Sequence, residues 1–315
     1  MKALRWTGIV LGGLIAVLAI VAAGFFVVGR SRLARKYDPA PTLAAMAPDS
    51  TALAWGEHIA RIHGCRDCHG KDLGGQVFLD IPPGRFVAPN LTAGRGGVGR
   101  RYRDADWDRA IRQGLRADST SLINIMPYQL FNHFSDADAG ALIAWLKSLP
   151  PVDHELPASS VRLPGYMMVS LADMNDFRGR LIRAPAQSPL PGTAEYGAYL
   201  ASTICVECHG KDLRGGKHPA PDAPPGPSLF VAASWSQTEF ATAVRTGVAP
   251  GGRQLGAWMP RHRLQYLTDE EIQALWAYLQ SLRGTQATST NRTAGGSWPP
   301  AGPDAGRRRH AELDS

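Results

Sequence analysis

One segment is written twice in this chain, and that repeat constrains the fold more than any other feature. Cys65-Arg66-Asp67-Cys68-His69-Gly70-Lys71-Asp72-Leu73 returns as Cys205-Val206-Glu207-Cys208-His209-Gly210-Lys211-Asp212-Leu213. Residues downstream of each copy recur in the same order. Trp107, Ile111-Arg112 and Gly114 are matched by Phe240, Val244-Arg245 and Gly247, and Met126-Pro127 by Met259-Pro260. Leu142-Ile143-Ala144-Trp145-Leu146 is matched by Leu275-Trp276-Ala277-Tyr278-Leu279. A repeat of this kind describes one small structural unit made twice. With 34 Gly and 24 Pro in 315 residues, the units are loop-rich, which argues against a doubly wound α/β sheet.

Periodicity supplies the helices. Leu142, Trp145, Leu146 and Leu149 fall at i, i+3, i+4 and i+7, as do Ile272, Leu275, Trp276 and Leu279, so each copy is expected to end in an amphipathic helix with one buried stripe. Thr268 with Glu271 reads as a capping box at the start of the second, and Ser135 with Asp138 as an approximate one at the first. Helical stretches over Ala52 to Ile62 and Ala194 to Ser202 run into the cysteines. A middle helix is expected near Trp107 and near Phe240, the latter opened by Ser236 and Glu239. Strand patterns are nearly absent, so the expected class is all-α.

From Gly8 to Val28 runs an uncharged apolar stretch of about 21 residues, long enough to cross a hydrocarbon core. Lys2 and Arg5 precede it; Arg30, Arg32, Arg35 and Lys36 follow. An uncleaved anchor is the reading, against a signal peptide cut near Val21-Ala22-Ala23, whose apolar region would be shorter. The basic flank by itself would keep the bulk of the chain cytoplasmic, although long domains translocate despite such charge. The expected divisions are an anchor over 1–36, domains over 37–152 and 191–284, a Pro-rich linker over 153–190 and a disordered tail over 285–315. Within the linker, Tyr166, Met167, Met168 and Leu171 are expected to pack over the domains. The net charge of +7 comes from 28 Arg and six Lys against 27 acids, spread along the chain; nucleic acid is not an expected partner. The cluster Arg100, Arg101 and Arg103 reads as a solvated loop, with docking or binding of a carboxylate as the alternative.

Two thiols three residues apart lie on one side of a helical turn, where they can form thioethers to both vinyl groups of one haem, and the next residue, His, can sit beneath the iron. The rival is a zinc site with four sulfurs drawn from both pairs; it leaves unexplained why His follows each pair. A thioredoxin-like redox pair lacks its βαβ context. The candidate cofactor-binding residues are therefore Cys65, Cys68 and His69, and Cys205, Cys208 and His209. The repeat selects Met126 and Met259 from seven methionines as sixth ligands. The iron ligands expected are His69 with Met126 and His209 with Met259. His133 and His262 lie near the methionines but at positions that do not correspond. They, with His58, His63, His154, His218 and His310, read as ordinary surface or loop histidines.

These residues resemble the class I cytochromes c, over about 50–150 and 192–283. The resemblance implies two tandem cytochrome c domains after an N-terminal transmembrane helix, with two covalently bound haem c groups. It casts Pro89 and Pro227 as the prolines whose carbonyls steady the proximal histidines, and Gly56 with Trp145 and Gly197 with Tyr278 as helix-crossing pairs. More narrowly, Asn90-Leu91-Thr92, Asp104 to Trp107 and Met126-Pro127-Tyr128 look like the cytochrome subunits of membrane-bound alcohol, aldehyde or gluconate dehydrogenases, which typically carry three haems where this chain has two motifs. The implied function is single-electron relay on the periplasmic side of a bacterial inner membrane. The donor would be a dehydrogenase or respiratory complex, the acceptor an oxidase or soluble cytochrome. A di-haem cytochrome c peroxidase reducing hydrogen peroxide is the alternative, revived if His133 or His154 replaced Met126. A docking subunit of a respiratory complex is a third.

Overall fold

The computed structural model describes residues 2–40, 49–123, 125–171, 185–218, 220 and 222–286. The tail expected to be disordered lies outside them from residue 287 on, as do Pro219, Pro221 and His310. The chain divides into two compact units whose limits do not follow the repeat. The first holds residues 1–53, 65–132 and 139–183; the second holds 54–64, 133–138 and 184–315.

The first unit opens with α1, Lys2–Ala34. Its apolar side chains are exposed, among them Ile9, Leu14, Leu18 and Val27. Helix α2 (Ser50–Ile62) starts on Asp49, whose Oδ1 accepts from Ala52 N at 2.7 Å, and runs to α3 (Cys65–His69). Two strands follow, where the all-α reading had none. β1 (Gln76–Ile81) and β2 (Gly84–Ala88) form an antiparallel hairpin around Pro82-Pro83, with a bulge between Val77 and Leu79. The period-2 signal is blurred by that bulge, and the Pro pair marks the turn. Helix α4 (Asp104–Arg112) buries Trp107 and Ile111 and is capped by Asp106, whose carboxylate accepts from Arg103 N at 3.0 Å. Gly114 ends it in the left-handed region; a Cβ there would stand 2.6 Å from the Tyr128 ring.

After the short α5 (Tyr128–Phe131), helix α6 spans Asp136–Ser148. It is buried on every face from Asp138 to Leu146, so the expected single apolar stripe is exceeded. Strand β3 (Ser160–Val161) then adds antiparallel to β2. Helix α7 (Leu163–Leu171) follows at once. This is the segment expected to pack over the domains; it meets the β1–β2 hairpin at Pro83, which Gly165 faces, and otherwise lies on α1. Phe26 and Tyr166 meet edge to face at 4.9 Å, and Ser170 Oγ donates to the Phe25 carbonyl at 2.9 Å.

The second unit is built on α8 (Ala194–Ile204) and α12 (Asp269–Gln286). Gly197 lets the two cross: an added Cβ would lie 1.9 Å from the Ala274 carbonyl oxygen and 2.8 Å from Tyr278 Cβ, which is the crossing the resemblance implied. Between them come α9 (Val206–His209), α10 (Gln237–Thr246), the two-residue strands β4 (Val248–Ala249) and β5 (Arg253–Gln254), and α11 (Arg261–Leu264). The core gathers Tyr196, Leu200, Phe240, Val244, Leu264, Ile272, Leu275 and Leu279, joined by Ile62 from α2. Both expected capping boxes are formed. Ser236 Oγ accepts from Glu239 N at 3.2 Å, and Thr268 Oγ1 from Glu271 N at 3.1 Å.

A polar network runs through this second unit. Trp55 Nε1 and Tyr199 Oη both donate to the Asp138 carboxylate, at 2.7 and 2.5 Å. His58 Nε2 lies 2.8 Å from Glu271 Oε1. Asp138 and Glu271 are both buried, so partners on every side are what makes two carboxylates tolerable there.

Candidate functional site

Each Cys-x-x-Cys-His begins where its lead-in helix stops. Gly70 and Gly210 turn the chain at φ +83° and +78°, and Leu73 and Leu213 follow at φ +60° and +58°. The turn then closes identically in both copies. Gly75 N donates to the His69 carbonyl at 2.8 Å, and Gly215 N to that of His209 at 2.8 Å. Leu91 N reaches the Leu73 carbonyl at 2.8 Å, and Leu229 N that of Leu213 at 2.9 Å. A left-handed leucine costs about 1 kcal/mol; burial of both side chains to 1% exposure offsets that strain, since a fully buried Leu is worth about 2 kcal/mol.

This turn brings a proline carbonyl to each histidine. His69 Nδ1 lies 2.9 Å from the Pro89 oxygen and His209 Nδ1 lies 2.7 Å from the Pro227 oxygen. The proton must then sit on Nδ1, because a carbonyl only accepts, and Nε2 keeps its lone pair for a metal. Burial holds both imidazoles below their ordinary pKa, against the smaller opposing pull of the proline carbonyls. A neutral, tautomer-fixed ring is what ligation of iron requires.

Burial pushes the Cys205 thiol up to about 12 and that of Cys208 up to about 11. Buried sulfurs of this kind are poor free thiolates, which disfavours disulfide exchange. A thioether carries no charge and suits the same surroundings. Among the described residues no group of three or more His, Cys, Asp and Glu side chains could hold a metal ion. Trp107 Nε1 is buried with no hydrogen-bond partner among the described residues. The residues present therefore fit covalently held haem.

Met126 and Met259 occupy matching turns. Tyr128 N donates to the Met126 carbonyl at 2.8 Å and Arg261 N to the Met259 carbonyl at 2.7 Å, with Pro127 at φ −80°, ψ 51° and Pro260 at φ −79°, ψ 64°. Both methionines are half-buried, and Met259 packs among Trp235, Ala243, Ala249 and Leu255. The rival histidines are otherwise engaged or solvated. His154 Nδ1 lies 3.1 Å from the Gly74 carbonyl, and His262 is exposed. His133 is half-buried, and its pKa is lowered by burial and then by Lys211. Arg100, Arg101 and Arg103 are exposed, with Arg103 Nε 3.3 Å from Asp106, as a solvated loop requires.

Two histidines read as ordinary surface residues are not. His63 is buried, with Nδ1 2.9 Å from the Ile59 carbonyl and Nε2 3.1 Å from Thr203 Oγ1. Burial drives its pKa down to about 3, the Ile59 carbonyl opposing and Arg263 and His58 adding to the fall. His58 pairs with Glu271 and stacks on Trp55 at 5.0 Å. Their partners lie far along the chain, so only the placement of both near the end of an amphipathic helix hinted at burial.

Residues 192–279 match the family described as cytochrome c oxidase, cbb3-type, subunit III. The chain carries a cytochrome c domain. Among its relatives, the fructose dehydrogenase cytochrome subunit of Gluconobacter japonicus is 27% identical over 283 residues, which is 81% of this chain and 56% of that one. The cytochrome c subunit of the quinone alcohol dehydrogenase of Gluconacetobacter polyoxogenes is 28% identical over 296 residues, 81% and 61% of the two chains. A di-haem c-type cytochrome of Cereibacter sphaeroides is 27% identical over 253 residues, 71% of this chain and 84% of that one. The chain thus spans about three-fifths of the length of the two dehydrogenase subunits. Its cofactor is covalently bound haem c, and its two Cys-x-x-Cys-His motifs agree with the two haems of the Cereibacter protein. These relatives give the peroxidase alternative no support.

Proposed function

We propose that this chain is a membrane-anchored di-haem relay that passes single electrons from a dehydrogenase or another respiratory donor to an oxidase or a cytochrome. The observation that carries the reading is the pair of His–Pro bonds, His69 to Pro89 and His209 to Pro227, each on a histidine directly after a cysteine pair. Cys65 and Cys68 hold the first haem and Cys205 and Cys208 the second. His69 with Met126, and His209 with Met259, close both faces of each iron. A haem so closed exchanges electrons and leaves substrate no open position. The two haems belong to tandem cytochrome c domains over 37–152 and 191–284.

Helix α1 is the membrane span: its Leu4–Ala34 stretch holds an 18-residue window of mean hydropathy 2.7, none of it buried. Covalent haem attachment of the class I cytochrome c type puts the residues beyond Lys36 on the periplasmic side. The kinship with fructose and alcohol dehydrogenase cytochrome subunits points to a dehydrogenase as the donor.

The test is spectroscopic. The full-length haem-loaded protein is expected to show low-spin c-type spectra and the weak far-red band of an Fe–S(Met) bond. Met126→Ala and Met259→Ala should each remove about half of that band and turn one haem high-spin. A full band in either variant overturns that ligand assignment. Rapid peroxide turnover by the unaltered protein overturns the relay.

A further inference from the structure

Helix α7 has the composition of a lipid-facing segment. Leu163-Pro164-Gly165-Tyr166-Met167-Met168-Val169-Ser170-Leu171 contains no charge. Leu163, Met167, Met168 and Leu171 are exposed, Leu171 to 73%, and only Gly165 is buried. Large apolar side chains left open in a row mark a surface that something covers.

The position of the helix identifies its cover. The helix is packed on the C-terminal part of α1. Besides the Phe26–Tyr166 and Ser170–Phe25 contacts, Arg32 Nη1 donates to the Val169 carbonyl at 2.9 Å. Gly29 lets the backbones touch, since a Cβ there would stand 2.6 Å from the Tyr166 carbonyl oxygen. The uncharged stretch of α1, Gly8 to Val28, is about 31 Å long at 1.5 Å per residue, which matches a hydrocarbon core of about 30 Å, and α7 meets α1 at Phe25, Phe26, Gly29 and Arg32. The end that carries α7 therefore falls at the boundary between acyl chains and headgroups. Arg30, Arg32, Arg35 and Lys36 lie at this end, where basic side chains meet anionic headgroups.

The other end of α7 is fixed to the haem-bearing part of the first unit. β3 pairs with β2 directly before it, Arg162 Nη2 donates to Asp80 at 2.6 Å, and Gly165 packs against the Pro83 carbonyl.

We infer that α7 lies in the phospholipid interface of the membrane that α1 crosses and holds the β1–β2–β3 sheet against the lipid surface. This rests on the reading of α1 as a membrane span. It also gives the basic flank after α1 a use that topology rules alone do not.

Haem attachment converts all four cysteines to thioethers, so a cysteine introduced into the loaded, full-length protein is its sole free thiol. Val17→Cys in α1, Met168→Cys in α7 and Val77→Cys in β1 are placed singly in nanodiscs of phosphatidylethanolamine and phosphatidylglycerol, one chain per disc. Each is timed with a membrane-impermeant maleimide. Labelling of Met168→Cys at least tenfold slower than Val77→Cys, with a phospholipid adduct after photolysis of a diazirine attached at position 168, supports the inference. Fast labelling at 168 with slow labelling at 17 overturns it and leaves α1 as the span. Slow labelling without a lipid adduct also overturns it, since another part of the protein then covers the helix. Fast labelling at all three positions removes the span itself, and the inference with it.

Discussion

His63 shows what a single buried side chain does to the acid stability of this protein. Its folded pKa, about 3, lies below the ordinary value near 6.5. Between those values the unfolded chain takes up a proton that the folded one refuses, so stability falls as pH drops through 6.5, by up to about 1.4 kcal/mol per unit, and levels off below 3. His63→Leu is expected to lack this loss: urea unfolding at pH 7, 5 and 4 should show the variant gaining on the parent as acidity rises. Glycines carry a second prediction. A Cβ on Gly226 would stand 1.9 Å from the Cys208 carbonyl oxygen, a backbone atom that cannot step aside. Gly226→Ala should cost more than about 2 kcal/mol and lower the haem-to-protein ratio toward one. Gly251→Ala, with φ +77° but nothing within 4 Å, should cost only about 1 kcal/mol in strained backbone; thermal melts and haem assay separate the two. At this scale the cysteines, their histidines and the prolines behind them were legible, because their spacing is dictated by one cofactor. His58 and His63 were not, because Glu271 and Thr203 reach them across more than a hundred residues of chain.

Among the elements, the helix starts were the most readable, since a cap is a local hydrogen bond between residues three apart. Ser236→Ala should lower stability by about 1 kcal/mol in denaturant unfolding, the usual worth of such a cap. Glu271→Gln should cost more than Ser236→Ala, because the buried Glu271 also bonds Thr268 N at 2.8 Å and pairs with half-buried His58. Ser135 departs from the full pattern for a visible reason. Its Oγ accepts from Asp138 N at 3.1 Å, but the Asp138 carboxylate is taken by Trp55 and Tyr199. The hairpin β1–β2 and the helix α7 were not legible. A bulge breaks the alternation of the first, and the second reads as linker until α1 is seen beside it. Within α6 the predicted stripe was right in position, with Leu142, Trp145 and Leu146 all buried, while its remaining face is covered too.

For the molecule as a whole, the repeat itself was the readable fact, and a coupled redox titration tests its meaning. The purified protein should take up two electrons per chain through c-type haem, and the course of reduction should split into unequal halves. Met126-Pro127 is followed by Tyr128 where Met259-Pro260 is followed by Arg261, and Arg66-Asp67 stands between the first cysteines where Val206-Glu207 stands between the second, so the residues flanking the two sites differ. Uptake of one electron would leave the chain with a single working haem. The units into which the chain divides could not be foreseen, because residues 54–64 and 133–138 of the first repeat cluster with the second, and such partnership is absent from any local pattern. The left-handed leucines carry a last consequence, about ancestry. Leu73 and Leu213 hold the same disfavoured backbone angle within two degrees of each other, although Val206-Glu207 has replaced Arg66-Asp67 between the cysteines. A costly shape shared by both halves is what the copying of one ancestral unit leaves behind.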